Sequence, residues 1–393
     1  MKPLDGITVI SLEQAIAAPF ASRQLADLGA RVIKIERPDG GDFARYYDTS
    51  VKGMSSYFVW TNRSKESLTL DLKYPEGRAI LRRLLADADI FLHNLAPGAV
   101  DRLGFGAAAL REAFPRLIVC SISGYGASGP YRDKKAYDLL VQAESGLLSI
   151  TGSGDTPAKA GISVADIGAG MYAFSGMLAA LFMRAQTGQG TTLEVSLLEA
   201  LGEWMGFPAY YTAYSGQAPR RSGAHHATIT PYGPFALGDG SALLIAVQNE
   251  REWTQFCEWV LGRPELVHDA RFGSNALRLT HRAELEALLQ ARLLEMTKEQ
   301  AIASLEQAQI AYSQMRTMQE FLDHPQLKAR QRWREVDSPV GTLQALLPPI
   351  TFEGVDPVFG PIPSLGEHTE AILQELGFSA EQIAGLRERL VIA

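Results

Sequence analysis

The sequence predicts an α/β protein: a large domain on a mainly parallel sheet, with a smaller α+β domain inserted after it. Three observations carry this. Short apolar runs alternate with amphipathic helical stretches through the first third. The same rhythm returns over residues 161–200. From residue 208 the texture changes, first to a stretch rich in Tyr, Pro, Gly, Ser and His, then to helices with charged faces.

The elements follow in order. Strands are predicted at Ile7–Ser11, Arg31–Ile35, Ser67–Leu72, Ile90–His93 and Leu117–Ser121. Between them fall helices at Pro19–Leu28, ended by Gly29, and at Glu76–Ala86, with Pro75 at a permitted first position. This βαβα order makes the large domain Rossmann-like, with helices on both faces of its sheet. A further helix over Met171–Met183 and a strand over Thr192–Val195 complete the repeat of the pattern. Asp239-Gly240 reads as a hairpin turn between two strands. Residues 335–363 read as a long Pro/Gly-rich crossing segment, followed by helices starting near Glu367 and Ser379. At 393 residues the chain exceeds one comfortable core. The predicted organisation is a large domain over 1–207, a linker or active-site loop over 208–235, a small domain over 236–330 and a return segment over 331–393.

Composition narrows the function. The net charge is −7, from 37 basic and 44 acidic side chains, which offers no electrostatic footprint for nucleic acid. An anionic ligand would need a local cluster of Lys and Arg instead. Only Cys120 and Cys257 occur, far apart, so neither a disulfide framework nor a metal site is expected. The N-terminus reads as a turn and a strand, not a targeting segment, and the Met171–Met183 helix is too short to span a bilayer. The expectation is a soluble cytoplasmic protein without membrane contact.

Three cation-bearing clusters stand at predicted strand ends. They are Lys34-Ile-Glu36-Arg37, Asn62-Arg-Ser-Lys65 and Asp71-Leu-Lys73. Each alone reads as a solvated strand end; together they favour an anionic ligand along one edge of the sheet. No phosphate-loop or dinucleotide fingerprint is present. Asp166, in Gly161-Ile-Ser-Val-Ala-Asp-Ile-Gly-Ala-Gly170, opens an apolar helix. Asp is a favoured cap, so capping competes with a catalytic role. Gly168 and Gly170 would leave room beside it for a bulky ligand.

In their order and spacing, several stretches resemble the class III CoA-transferases, the family of formyl-CoA transferase and, as a side branch, α-methylacyl-CoA racemase. They include Ala26-Asp-Leu-Gly-Ala-Arg-Val-Ile-Lys-Ile-Glu-Arg-Pro38, Asn62-Arg-Ser-Lys65, Leu72-Lys-Tyr-Pro-Glu-Gly77, Asn94-Leu-Ala-Pro-Gly-Ala-Val-Asp-Arg-Leu-Gly-Phe105, Ser123-Gly-Tyr-Gly126 and Thr187-Gly-Gln-Gly190. The resemblance implies coenzyme A contacts at Gln14, Ala15, Arg37, Leu72, Lys73, Asn94, Arg102 and Lys135. It implies Asp166 as the catalytic carboxylate, acyl-CoA as substrate with no tightly bound cofactor, and an interlocked homodimer in which each chain threads through the other. Racemases carry a His where this chain has Tyr137. A phenol titrating near about 10 is a poor partner for α-proton exchange, so transfer is favoured over racemisation. Tyr137 can still hydrogen-bond an acyl oxygen.

The run of glycines that formyl-CoA transferase carries is replaced here by Ser222-Gly-Ala-His-His226. His225 and His226 beside Arg221 form a candidate acceptor-carboxylate site. The pattern looks similar to transferases that use succinyl-CoA with small dicarboxylates such as itaconate, mesaconate or citramalate. Two alternatives stay open: an acyl-CoA racemase, and a non-catalytic CoA-binding protein.

Overall fold

The computed structural model describes residues 1–393. The large sheet has strands β1 (Thr8–Leu12), β2 (Arg31–Glu36), β3 (Lys65–Thr69), β4 (Ile90–His93), β5 (Ile118–Ser123) and β6 (Thr192–Ser196). All pair in parallel, in the order β3-β2-β1-β4-β5-β6. β1 sits between β2 (Val9 opposite Val32) and β4 (Val9 opposite Ile90). The chain therefore reverses its direction of travel across the sheet at β1. Such a switch leaves a crevice at the carboxyl ends of the two central strands.

Both faces of the sheet are covered. Ile10, Ile33, Ile35, Leu68, Phe91 and Val119 pack in one cluster with Ile80, Leu81, Leu84 and Leu85 of helix α2 (Pro75–Ala86). Ile372, Leu373, Ile383 and Leu386 from two C-terminal helices, Thr369–Glu375 and Ala380–Glu388, join the same cluster. The alternate strand residues Val9, Val32, Ile90, Leu92 and Cys120 are buried on the opposite face. That face carries helix α1 (Ala17–Asp27) and a long helix, α4 (Val164–Thr187), which follows α3 (Asp138–Glu144).

Two compact units emerge, each with its own core. The first comprises 1–146, 160–206 and 327–393; the second comprises 147–159 and 207–326. The division differs from the predicted one in two places. Residues 147–159 leave the large unit, because the hairpin Gly152–Ser153/Thr156–Pro157 bridges to Ser222 within the second. The stretch 208–235 is no linker: it supplies most of helix α5 (Gly206–Ser215) and strand β7 (Tyr232–Ala236). β7 pairs with β8 (Ala242–Ala246) across the predicted hairpin, and β9 (Ala311–Gln314) completes an antiparallel sheet of three. Its core holds Phe235, Leu243, Ile245, Phe256, Leu285 and Leu289. Arg278 is also buried there, paired with Glu250 at 2.8 Å and lying 4.9 Å from the Trp253 ring centre.

Helix α4 is longer than Met171–Met183. It runs 24 residues and ends where Gly188 takes φ 73°. By length and apolarity it could cross a membrane. One face is nonetheless buried in the unit, including Arg184, which bonds Asp89 at 2.7 Å. Gly168 and Gly170 do not make ligand space. A Cβ on Gly170 would lie 2.7 Å from the Ala17 carbonyl oxygen, and one on Gly168 would lie 3.5 Å from Trp204. Gly170 instead lets α4 approach α1 closely, while a Cβ at Gly168 would make only ordinary contact with Trp204. The 335–363 segment also departs from expectation, since its start forms the hairpin Trp333–Val336/Leu343–Leu346.

These glycines give a paired prediction. Gly170→Ala should lower stability by about 1–3 kcal/mol through overpacking, despite its helix propensity. Gly202→Ala, in helix Leu197–Trp204 with open space where the methyl would go, should raise it by about 1 kcal/mol. Equal shifts of the two midpoints in thermal melts would contradict this account of α1–α4 packing.

Candidate active site

Asp166 lies in the first turn of α4, three residues after the N-cap Ser163, whose own side chain makes no capping bond. The cap comes from elsewhere. Asp138, the first residue of α3, accepts the Ala165 N–H at 2.9 Å on Oδ1 and the Gln142 amide at 2.7 Å on Oδ2. The capping role weighed for Asp166 therefore falls to Asp138. The Asp166 carboxylate accepts no hydrogen bond. Its pKa is pushed up to about 7, mainly by burial and then by the Asp138 charge.

Asp166 lines a cleft of about 900 Å³ at the switch point of the sheet. Gln14 and Ala15, just beyond β1, also line it, with Asn94 just after β4. Asn94 clamps this turn reciprocally: its Oδ1 accepts the Gln14 N–H and its amide donates to the Gln14 carbonyl, both at 2.8 Å. Tyr137 and Lys135 line the same cleft. So do Tyr47 and Tyr57, whose rings meet edge to face 5.3 Å apart. The Tyr47 phenol is pushed up to about 12, by burial first and then by the charges of Asp42 and Asp166 among others. It stays protonated at any working pH and can donate to an oxyanion.

Six of the residues singled out in the sequence thus meet: Gln14, Ala15, Asn94, Lys135, Tyr137 and Asp166. Arg102 lines an adjoining cleft of about 530 Å³, which shares the wall Leu95-Ala96-Pro97. Arg37, Leu72 and Lys73 line neither. Arg37 is exposed beside Asp39, Leu72 packs against the sheet core, and the Lys73 N–H is held by Asp71. Arg221, His225 and His226 belong to the second unit. Arg221 donates to the Leu148 carbonyl at 3.3 Å. His225 lies 3.4 Å from Glu286 and packs edge-on to Phe235. His226 stacks on Tyr232, and burial, then Arg282, holds its pKa below the ordinary range.

In the cation clusters Arg37 and Lys73 are exposed, as the solvated reading expects, but Lys34, Arg63 and Lys65 fit neither sequence reading. Lys34 and Lys65 are buried, neither solvated nor facing a ligand. Lys34 bonds Asp42 and Lys65 bonds Glu13, each at 2.6 Å. β3 begins at Lys65 rather than Ser67, so this lysine is inside a covered strand. Arg63 is likewise buried, bidentate to Asp27. Sequence reasoning did not single out Asp138, Tyr47 or Asp42. The Asp138/Gln142 spacing along one helix face was the available signal for the first.

With fold and cleft described, the class is defined. The CoA-transferase family III model matches residues 4–369, and the chain belongs to this family. It is therefore an enzyme whose family uses CoA thioesters as substrates. Among curated relatives, the succinate–glutarate CoA-transferase of Agrobacterium fabrum is 35% identical over 95% of this chain and 96% of its own. The succinyl-CoA–D-citramalate CoA-transferase of Chloroflexus aurantiacus is 34% identical over 100% and 98%. A crystal structure of a CAIB/BAIF family protein from Brucella suis aligns with TM-score 0.82 at 35% identity, covering 95% and 99% of the two chains.

Two outcomes follow from the Asp166 environment. Activity should fall as pH drops through about 7, where Asp166 gains its proton, and Asp138→Asn should move that acid limb to lower pH in a kcat/KM profile. An unmoved limb would remove Asp138 from the electrostatics. Ionising Asp166 also costs the fold stability progressively between its free value of 3.8 and about 7. Asp166→Asn should therefore stabilise the protein by roughly 2–4 kcal/mol at pH 8 and by little near pH 4, measured by denaturant unfolding.

Proposed function

We propose that this enzyme transfers CoA from succinyl-CoA to a small dicarboxylic acid, with Asp166 as the nucleophile. The observation that carries the reading is a carboxylate with no hydrogen bond, desolvated in a cleft roomy enough for a thioester arm. Lacking donors of its own, it loses little when it attacks a carbonyl carbon. Attack of Asp166 on the thioester forms an acid anhydride and expels CoA thiolate. The thiolate returns to the aspartyl carbonyl, releases the donor acid and leaves an aspartyl thioester. The acceptor carboxylate attacks that thioester, a second anhydride forms, and the thiolate takes the acceptor's acyl group, regenerating Asp166. Tyr47 and Tyr137, which line the cleft, are proposed to donate to the developing oxyanions, and Lys135, Asn94, Gln14 and Ala15 to line the path of the CoA arm.

The choice of dicarboxylate is supported by the activities for which the two relatives are named, on glutarate and D-citramalate. Acceptors of four or five carbons, itaconate and mesaconate among them, fall in the same size range. Arg221, His225 and His226 are proposed to receive the distal carboxylate, and Arg37, Leu72, Lys73 and Arg102 the nucleotide end of CoA. The enzyme is proposed to be cytoplasmic and to act as an interlocked homodimer. The exposed aromatic residues of α5, Tyr210 at 70% and Tyr214 at 85%, are surface that a partner chain would cover.

The deciding experiment incubates the protein with succinyl-CoA and a panel of carboxylic acids, and follows new thioesters by mass spectrometry. The expected result is a dicarboxylyl-CoA product that disappears in Asp166→Ala, with CoA still bound. Exchange that survives the substitution would reject Asp166 as nucleophile. Deuterium uptake at the α-carbon of a 2-methylacyl-CoA without exchange would indicate a racemase. Tyr47→Phe should lower kcat about tenfold while changing the KM for acyl-CoA less; the reverse pattern would make Tyr47 a binding residue only.

A further inference from the structure

One turn that lines the Asp166 cleft is held in an unusual backbone state. Ala15 has φ +61°, the left-handed region that favours glycine. A residue with a Cβ occupies that region only where its surroundings impose it. Here a buried carboxylate does so. Asp42 is fully buried, and its Oδ1 accepts both the Ala15 N–H at 3.0 Å and the Ala44 N–H at 2.9 Å. Its Oδ2 takes the ammonium of Lys34 at 2.6 Å. Lys34 is fully buried as well, 3.7 Å from Glu13 and hydrogen-bonded to the Asn62 side chain at 3.0 Å. Glu13 in turn bonds Lys65 and Ser22, each at 2.6 Å. The residue next to Asp42 completes the linkage, since the Phe43 N–H donates to the Gln14 side-chain oxygen at 3.2 Å.

A fold does not need two buried ion pairs here. A parallel strand covered on both faces is stable with apolar side chains, and buried pairs are commonly no better than hydrophobic replacements. What the pair supplies and an apolar side chain cannot is a carboxylate oxygen aimed at the Ala15 N–H. We infer that Asp42, fixed in orientation by Lys34, is a positioning residue: it sets the Gln14–Ala15 turn against the reacting end of the cleft. This rests on the reading of Asp166 as nucleophile. Asp42 itself touches no substrate in this scheme; it acts through the backbone of Ala15.

The network is balanced, with two acids (Glu13, Asp42) and two lysines (Lys34, Lys65). One acid and one lysine can therefore be removed together without leaving a net buried charge. Lys34→Met/Asp42→Asn retains a side-chain oxygen for the Ala15 and Ala44 N–H groups. Lys34→Met/Asp42→Leu has the same shape and charge without the oxygen. Both are compared with wild type for the rate of succinate release in a single turnover with succinyl-CoA, for the affinity of free CoA, and by crystallography. The expected result is a succinate-release rate within about threefold of wild type for the Asn pair, and at least about tenfold slower for the Leu pair. Free CoA should bind the Asn pair within about twofold and the Leu pair with a loss well short of its loss of rate, and Ala15 should leave the left-handed region only in the Leu pair. Should the Leu pair not fold, Lys34→Met/Asp42→Ala replaces it with the same expectation, because the vacated space admits water to the two N–H groups.

Equal rates in the two pairs would overturn the proposal. So would an Ala15 that keeps its conformation without the oxygen, or a Leu pair whose slow release tracks a matching loss of CoA affinity. A wild-type enzyme that releases no succinate would instead overturn the Asp166 reading. The Ala15 conformation in the crystals would still decide the role of Asp42.

Discussion

A nucleophilic carboxylate must be ionised, desolvated and unoccupied at once, and few places in a protein allow all three. Water and hydrogen-bond donors normally stabilise a carboxylate, and each such contact would have to be broken before attack. Asp166 sits at a helix start, the position where backbone N–H groups most readily claim a carboxylate. Here Asp138 answers that demand from the neighbouring helix. Asp166 is left with burial and a like charge, both of which raise its basicity. Much of the surrounding structure serves this arrangement, from the α4–α1 contact at Gly170 to the turn held by Asp42 and Asn94.

The sheet topology explains why the parts meet. Gln14 and Ala15 follow β1, and Asn94 follows β4, so the reversal of strand order at β1 places both loops on one crevice. Under the crevice lie four buried charges. Removing a single partner from such a pair leaves a bare charge in a dry interior, at a cost of about 3–5 kcal/mol. These buried positions are therefore intolerant of single substitutions, whereas no such packing constraint acts on the exposed Lys135 and Tyr137.

The fold was legible because its signal is local. Apolar runs of strand length and helices with apolar faces mark β1 to β5, α1 and α2 to within a few residues. Family likeness brought six cleft residues together, and the local pattern around Asp166 alone would have left it a helix cap. What escaped was long-range. Lys34 and Lys65 look like surface cations until the strands beside them are known to be covered on both faces. Gly168 and Gly170 look like ligand space until α1 is seen to pack there. Asp138 reads as an ordinary helix-start acid, and its service to a helix that begins 26 residues later is a tertiary fact. Residues 208–235 looked like a linker because aromatic and proline-rich sequence obscures a strand that is paired on one side only.

The way the C-terminal helices close the core has a bearing on biosynthesis. The last strand of the large sheet ends at Ser196, yet one face of that sheet is covered only in part, α2 included, until Ile372, Leu373, Ile383 and Leu386 arrive. The backbone records the same lateness, since the Thr69 N–H bonds the Thr369 hydroxyl and the Ala393 N–H bonds the Thr69 hydroxyl. At ribosomal speeds, the about 170 residues between take roughly 10 to 35 s to appear. During that interval a half-covered parallel sheet, with its apolar face open, stands ready for chaperone capture. Residues 207–326, which carry the core of the second unit, are made in the same interval, and that antiparallel core is free to close first.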